Sequence, residues 1–364
     1  MNQGFSKTAF YQIPVKNIER QTRNAITIEL EVPDELKGVF AFDPGQYLTF
    51  RKTIDGEEVR RNYSLCSSPL DKKWQVGIKK VPDGIFTGWA HGQLKPGDLM
   101  EVMPPMGKFT PALNPAHSRH YCAFAAGSGI TPILSIISAT LATEPNSCFT
   151  LVYGNQSRSS IMFKEELEAL KDKYMHRISL YHILSREKTD AEINHGRIDP
   201  AKCEQIFSKL LDITTVDEFY LCGPEGMSAG IKAELLTRGV EEKKIRMELF
   251  TTAKRNLRHK PMAAQANDEA PKSRVTIRHD GIESSFDLAY DSDPIMDAAL
   301  HEGLELPYSC KGGMCCTCKA KLVKGEVDME VHYGLEHDEI EKGFILTCQS
   351  HPKTSEVVVD FDIR

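Results

Sequence analysis

The stretch "PYSCKGGMCCTCKA" carries Cys310, Cys315, Cys316 and Cys318, and Cys348 follows in "ILTCQS". Cys310, Cys315 and Cys318 are spaced C-x4-C-x2-C. With Cys348 as the fourth thiolate they match the ligand spacing of a plant-type [2Fe-2S] cluster, two irons bridged by two sulfides. Gly312 and Gly313 suit a tight loop that turns backbone N-H groups toward the sulfurs, where small residues are needed. Structural zinc also takes four cysteines, but normally as two CxxC pairs. Cys316 falls between two ligands and is expected to point away from them. Cys66, Cys122, Cys148 and Cys203 read as small buried hydrophobes.

A second set of residues suits a dinucleotide. "AAGSGITP" ends a buried apolar run and opens a helix, so Gly127, Gly129 and Thr131 lie where free N-H groups and the helix dipole attract a phosphate. Only part of the G-x-G-x-x-G fingerprint is present, and a glycine turn needed for packing alone is the plainer alternative. After the next apolar run, "YGNQSRSS" offers Ser157 and Arg158 to a ribose 2′-phosphate, where an acidic residue would select the 2′-hydroxyl. That favours NADPH and leaves NADH possible; an exposed arginine can equally be a solvated charge. A nicotinamide gives a hydride and a cluster takes single electrons, so a converter is needed, and flavin is one. "RNYS" holds Arg61, Tyr63 and Ser64: a guanidinium fork suits phosphate and a flat ring suits a flat ring, yet the same residues fit an ordinary strand with a core tyrosine.

In register, these motifs resemble the flavin-dependent ferredoxin reductase family in its FAD, NAD(P), ferredoxin order. "RRNYSLC", "AAGSGITP", "YGNQSRSSIMF", "LPYSCKGGMCCTCK" and "VVVDFD" carry the resemblance through most of the chain. It implies that Arg61 pairs with the FAD pyrophosphate, Tyr63 packs on the isoalloxazine and Ser64 hydrogen-bonds near N5. Gly84, Phe86 and Thr87 of "GIFT" would form a second phosphate-binding turn, with Thr87 where Ser is usual. Gly127, Gly129 and Thr131 would hold the nicotinamide dinucleotide. Cys222, Gly223 and Pro224 of "LCGPEGM" would place a thiol beside nicotinamide and flavin, positioning rather than attacking. Phe250, ending "MELF", would lie near the flavin, or serve as a core residue at a domain seam; Leu249 stands where Arg is expected in the nearest relatives. The implied path runs from NADPH through FAD and the [2Fe-2S] cluster to an oxygenase, foremost a di-iron epoxidase of phenylacetate degradation. Ring-hydroxylating and steroid oxygenases and a hybrid-cluster protein are alternative acceptors, and a redox sensor is the non-enzyme alternative. Hydride transfer requires no general base.

The elements that must position these residues are written in three grammars. From residue 8 to 113, period-two segments such as "AITIELEVP", divided by Pro-Gly and Asp-Gly turns, predict an antiparallel FAD-binding barrel. From 114 to 252, the apolar runs "HYCAFAAG", "CFTLVYGN", "RISLYHIL" and "EFYLCGP" alternate with helical segments, predicting a doubly wound parallel sheet for the dinucleotide. There Thr131 is expected as an N-cap with Pro132 at the first helical position. Residues 253–272 are polar and aperiodic and read as a linker; 273–364 hold a hairpin at Asp280-Gly281, a helix capped by Asp293, opened by Pro294 and stopped at Gly303, and the cysteines, which by resemblance form a β-grasp ferredoxin domain.

This last segment carries 18 acidic and 9 basic residues, although the whole chain is only at -6. It is expected to dock transiently on a more basic neighbour and swing outward to the acceptor. The overall charge gives no support for nucleic-acid binding. With no export signal and no apolar run approaching a membrane span, a cytoplasmic protein with reduced cysteines is expected, so disulfides are disfavoured.

Overall fold

The computed structural model describes residues 5–250, 271–290 and 292–363. Contacts divide the chain into two compact units, with the division after Phe250.

The first unit begins with an antiparallel sheet of β1 (Tyr11–Thr22), β2 (Ala25–Leu30), β3 (Tyr47–Ile54), β4 (Glu57–Ser64), β5 (Trp74–Lys79) and β6 (Leu99–Met106), with helix α1 (Ile85–Gly92) before β6. Strand order is β4-β3-β6-β1-β2-β5, and a bridge between Leu65 and Val76 joins the end of β4 back to β5, closing the barrel. Alternation explains the inside: Ile26, Ile28 and Leu30 join Ile13, Phe50, Val76 and Ile78 in one buried cluster with Phe86 of α1. Asp55 and Gly56, both at positive φ, make the two-residue turn that pairs Ile54 with Glu57 and sets the register of β4.

A parallel sheet follows: β7 (His120–Ala126), α2 (Ile130–Thr143), β8 (Cys148–Asn155), α3 (Lys164–Lys173), β9 (Ile178–Leu184), α4 (Pro200–Lys209), β10 (Glu218–Gly223), α5 (Glu225–Thr237) and β11 (Ile245–Leu249). The order is β11-β10-β7-β8-β9. Alternate residues of β7 enter separate cores, Tyr121, Ala123 and Ala125 with α2 and α3, Cys122 and Phe124 with α4 and α5, so both faces are covered as the continuous apolar runs require. The short strand β11 escapes the apolar-run reading because it is an edge strand, half-buried throughout, with Arg246 and Glu248 between its apolar residues. Strand order reverses between β7 and β10, and the crevice beyond their C-terminal ends is where open α/β sheets bind ligands.

The second unit contains β12 (Lys272–His279), β13 (Ile282–Ala289), α6 (Ile295–His301), β14 (Lys319–Lys324), β15 (Val327–Met329), α7 (His337–Glu341), β16 (Phe344–Leu346), β17 (Ser350–Pro352) and β18 (Glu356–Asp360). Its main sheet runs β13-β12-β18-β14-β16, with β12 and β18 parallel. Asp280 and Gly281, both at positive φ, form the expected hairpin turn.

Four expectations change. The linker reading falls largely outside the described residues, and Lys272, assigned to it, already pairs with Ala289 in β12. Thr131 is not an N-cap: α2 begins at Ile130 behind Gly129, and the Thr131 hydroxyl donates to the Ser128 carbonyl at 3.0 Å. Pro132 is therefore the third helical residue, still in the first turn where its missing N-H costs nothing. Asp293 does not cap α6; Pro294 holds that position without a side-chain cap, while Gly303 at φ 80° ends the segment as expected.

Candidate functional site

The crevice of the parallel sheet is assembled by glycines. A Cβ on Gly129 would lie 2.1 Å from the Cys222 carbonyl oxygen, so the turn after β7 rests directly on the turn after β10. Gly223 is as constrained, since its Cβ would meet Met227 at 2.6 Å and Ala126 at 3.1 Å. Gly127 takes φ 55°, and its carbonyl accepts from the Tyr153 hydroxyl at 2.9 Å, which ties the turn to β8. No side chain caps α2, whose first N-H, that of Ile130, turns back to the Gly127 and Ser128 carbonyls. Pro224, exposed, opens α5 at the same crevice, again without a side-chain cap. Thr131 is buried; its hydroxyl is held within the turn and its methyl lies under Gly77 of β5, where a Cβ would come within 2.7 Å.

The barrel reaches this crevice from the other side. Tyr63 packs near Phe50 and Phe86, with ring centroids 5.8 and 5.5 Å away. Burial raises the Tyr63 phenol above its ordinary value, so it stays neutral. Ser64, one residue on, donates to Glu248 Oε2 of β11 at 3.4 Å. Register places Glu248 beside Cys222. Burial, with Glu248 adding to it, pushes the Cys222 thiol far above its ordinary value, so it stays neutral. Ser64, Glu248 and Cys222 thus meet where the turns after β7 and β10 converge, and the exposed Phe250 follows directly after β11.

Arg61 is exposed on the same side of β4 as Tyr63, its Nη1 donating to the Arg60 carbonyl. Gly84 precedes α1 with no side-chain cap, and Thr87 folds back to donate to the Gly84 carbonyl at 3.2 Å. Phe86 is 1% exposed, so only its backbone is available to a phosphate at this turn. Uncapped N-H groups beside an exposed guanidinium and a neutral tyrosine suit the phosphates and ring of FAD.

Sequence reasoning missed two residues here. Lys79, at the end of β5, brings Nζ to within 3.0 Å of where a Gly127 Cβ would stand. Burial lowers its pKa, and no carboxylate among the described residues pairs with it. A half-buried, uncompensated ammonium beside this glycine turn is a ready anion contact. It was hidden because "GIKKV" looks like the end of any barrel strand. Glu248 was within the quoted "MELF", but only its pairing with Ser64 gives it a place.

At the carboxyl end of the neighbouring strand β8, Ser157 and Ser160 cap one another reciprocally in the turn that follows, and Arg158 is exposed there. Arg158 does not stand free: its backbone N-H donates to Glu187 Oε2 at 2.7 Å and its Nε lies 3.3 Å from Glu187 Oε1.

In the second unit the four predicted ligands gather as two pairs. The Lys319 to Leu346 register brings Cys318 beside the turn that carries Cys348, and Thr347 secures it through a 3.0 Å bond to the Cys318 carbonyl. Cys315 hydrogen-bonds Cys310 and pulls that thiol down to about 7, while Cys315 itself is raised; Cys318 and Cys348 divide in the same way, Cys348 falling and Cys318 rising. Backbone N-H groups of Gly312 and Cys315 point at Cys310 Sγ, each at 3.4 Å. No set of three or more His, Cys, Asp or Glu side chains among the described residues is placed to hold a single metal ion. Two thiol pairs with N-H groups turned to sulfur suit a binuclear cluster, two thiolates to each iron, whose binding would displace the remaining protons. Cys316 points elsewhere, donating to the Gly334 carbonyl. Of the two glycines only Gly313 is required: it has φ 72° and its Cβ would strike Val331 at 2.6 Å, whereas a Gly312 Cβ would meet nothing closer than 3.7 Å.

Barrel, switch-point crevice and paired thiols define an oxidoreductase with flavin, nicotinamide and iron-sulfur sites. Family models agree: an oxidoreductase FAD-binding domain matches residues 12–110, an oxidoreductase NAD-binding domain 124–233, and a 2Fe-2S iron-sulfur cluster binding domain 277–353. The chain is 42% identical to a component of the 1,2-phenylacetyl-CoA epoxidase of Escherichia coli over 98% of its length and 99% of the relative's. It is 32% identical to the ferredoxin reductase component of 3-ketosteroid-9-alpha-monooxygenase of Rhodococcus rhodochrous, over 96% of both chains. Phthalate dioxygenase reductase shares the fold at TM-score 0.58 and 23% identity, covering 97% of this chain and 98% of that one. An intact type IV self-sufficient cytochrome P450 monooxygenase aligns at TM-score 0.69 and 19% identity over 99% of this chain, which spans only 43% of that longer chain. The chain belongs to the FAD- and NAD(P)-dependent ferredoxin reductases that carry a C-terminal plant-type [2Fe-2S] domain. It is an electron-transfer oxidoreductase, and the sensor reading is set aside. No helix among the described residues is long and apolar enough to cross a membrane.

Proposed function

We propose that this chain is the reductase component of an oxygenase, drawing hydride from NADPH and delivering electrons to a di-iron epoxidase that acts on phenylacetyl-CoA. The observation that carries the redox chemistry is the meeting of Ser64, Glu248 and Cys222 at the turn formed by Gly127 and Gly129. Near-full-length identity of 42% to an epoxidase component supports the acceptor. When bound, FAD accepts a hydride and the [2Fe-2S] cluster carries single electrons onward.

The protein's own contributions are positional. Arg61 and the α1 turn at Gly84, Phe86 and Thr87 hold the FAD phosphates, Tyr63 and Phe250 cover the flavin ring, and Ser64, oriented by Glu248, presents its hydroxyl to the ring edge. Gly127, Gly129 and the buried Thr131 shape the turn that receives the coenzyme pyrophosphate, with Lys79 neutralising it. Cys222, Gly223 and Pro224 orient the nicotinamide through shape, because a neutral buried thiol neither attacks nor carries charge. Ser157 and Arg158 receive the 2′-phosphate. Cys310, Cys315, Cys318 and Cys348 hold the cluster in a unit separate from the flavin.

Anaerobic stopped-flow mixing with NADPH, and separately NADH, tests the path by following flavin and cluster absorbance. Flavin bleaching followed by cluster bleaching is expected; an unbleached cluster sinks the electron path. Reconstitution with a purified phenylacetyl-CoA epoxidase, against a ring-hydroxylating oxygenase as comparator, tests the acceptor. Equal coupled turnover with both would refute the epoxidase assignment.

A further inference from the structure

The loop after β9 competes for the cation that the coenzyme reading assigns to the ribose phosphate. Parallel pairing of β8 with β9 continues past both strands: Ser185 N donates to the Asn155 carbonyl at 2.9 Å and Arg186 N to the Gln156 carbonyl at 2.8 Å. This ladder delivers Glu187 opposite Arg158. There one carboxylate engages Arg158 twice, accepting its backbone N-H at 2.7 Å and lying 3.3 Å from Nε. Two donors, one of them cationic, converging on a carboxylate would serve equally for two oxygens of a phosphate monoester. Glu187 is also the more enclosed partner, its side chain 32% exposed against 66% for Arg158.

We propose that Glu187 is a specificity-determining residue that opposes NADPH by occupying the 2′-phosphate position on Arg158. Resting on the coenzyme reading above, it deepens that reading: Arg158 attracts the 2′-phosphate, and Glu187 limits the resulting preference. A 2′-hydroxyl carries no charge and leaves the ion pair in place, even offering Glu187 a hydrogen to accept. The dianionic phosphate must displace the carboxylate and then remain beside it, and like charges in contact lower affinity on the order of tenfold or more at a site this exposed. No bond is made or broken in this role, so its signature lies in binding.

The test uses the FAD-loaded full chain and ferricyanide as acceptor. For the parent, Glu187→Gln and Arg158→Gln, kcat and KM are measured with NADPH and with NADH. Calorimetry with 2′,5′-ADP and 5′-AMP supplies a readout independent of turnover. Glu187→Gln is expected to raise the NADPH to NADH ratio of kcat/KM about tenfold through KM, and to tighten 2′,5′-ADP relative to 5′-AMP by a similar factor. Arg158→Gln should lower both ratios. If Arg158→Gln lowers the ratios but Glu187→Gln leaves them within twofold, or lowers them, the role of Glu187 is overturned while the coenzyme reading survives. If neither substitution moves either ratio, the 2′-phosphate does not bind here and both fail together.

Discussion

Replacing Lys79 with Met should weaken both coenzymes equally while making the protein more stable. Its ammonium sits beside the Gly127 turn, half-buried, with its pKa lowered by burial and no carboxylate partner among the described residues. A pyrophosphate charge about 5 Å away, at an effective dielectric of about 20, would interact by about 3 kcal/mol. Solvent screening of a half-exposed group reduces this to about 1.5 kcal/mol, or roughly tenfold in KM. Because the pyrophosphate is common to NADH and NADPH, the increase should be the same for each, with kcat at saturation changed less than about threefold. Met keeps most of the aliphatic stem and removes an uncompensated charge, so the coenzyme-free protein should gain about 0.5 kcal/mol and melt a degree or two higher. Steady-state assays with ferricyanide and a thermal melt read both effects. Unchanged KM values, an effect confined to NADPH, or a lower melting temperature would each refute the reasoning.

Three further outcomes are expected. Gly129→Ala would force a Cβ to 2.1 Å from the Cys222 carbonyl and part the two turns, so flavin reduction by NADPH in stopped flow should slow at least about a hundredfold while flavin stays bound. Cys318→Ser should abolish the visible cluster spectrum and most of the bound iron, yet leave flavin reduction intact because the thiols lie in a separate unit; Cys316→Ser, whose thiol is turned to Gly334, should keep the cluster. Glu144 is fully buried, and although burial pushes its carboxyl up, bonds from the Asn114 backbone, Ser147, His117 and Tyr121 outweigh this and hold it below its ordinary value. Its folded-state pKa lies below the unfolded one, so its contribution is present above the unfolded value and lost as pH falls through the folded value. Glu144→Gln should cost about 3 kcal/mol in urea melts at neutral pH and flatten the loss of stability below pH about 4.5.

Much of this protein is written locally. Cys310, Cys315 and Cys318 declare a cluster because metal geometry demands particular spacings within one loop, and the Asp280-Gly281 hairpin is legible because positive φ at two successive residues selects those types. The apolar runs of β7, β8, β9 and β10 show a parallel sheet covered on both faces, since burial on both sides removes alternation. By contrast, β11 and the start of α2 were obscure: an edge strand carries a mixed pattern, and a threonine that folds back within a turn looks like a cap until its partner is known.

Only the tertiary structure decided which residues meet across long separations. Lys79 and Gly127 come from different sheets, Ser64 and Glu248 stand 184 positions apart, and Glu187 reaches Arg158 only because two strands are neighbours in the sheet. Composition and periodicity report which face of an element is buried, a property of its own residues. They do not report what lies against that face, because the partner is chosen by packing the whole chain. Sequence alone therefore established the three kinds of site, while the charges that tune them became visible only in the fold.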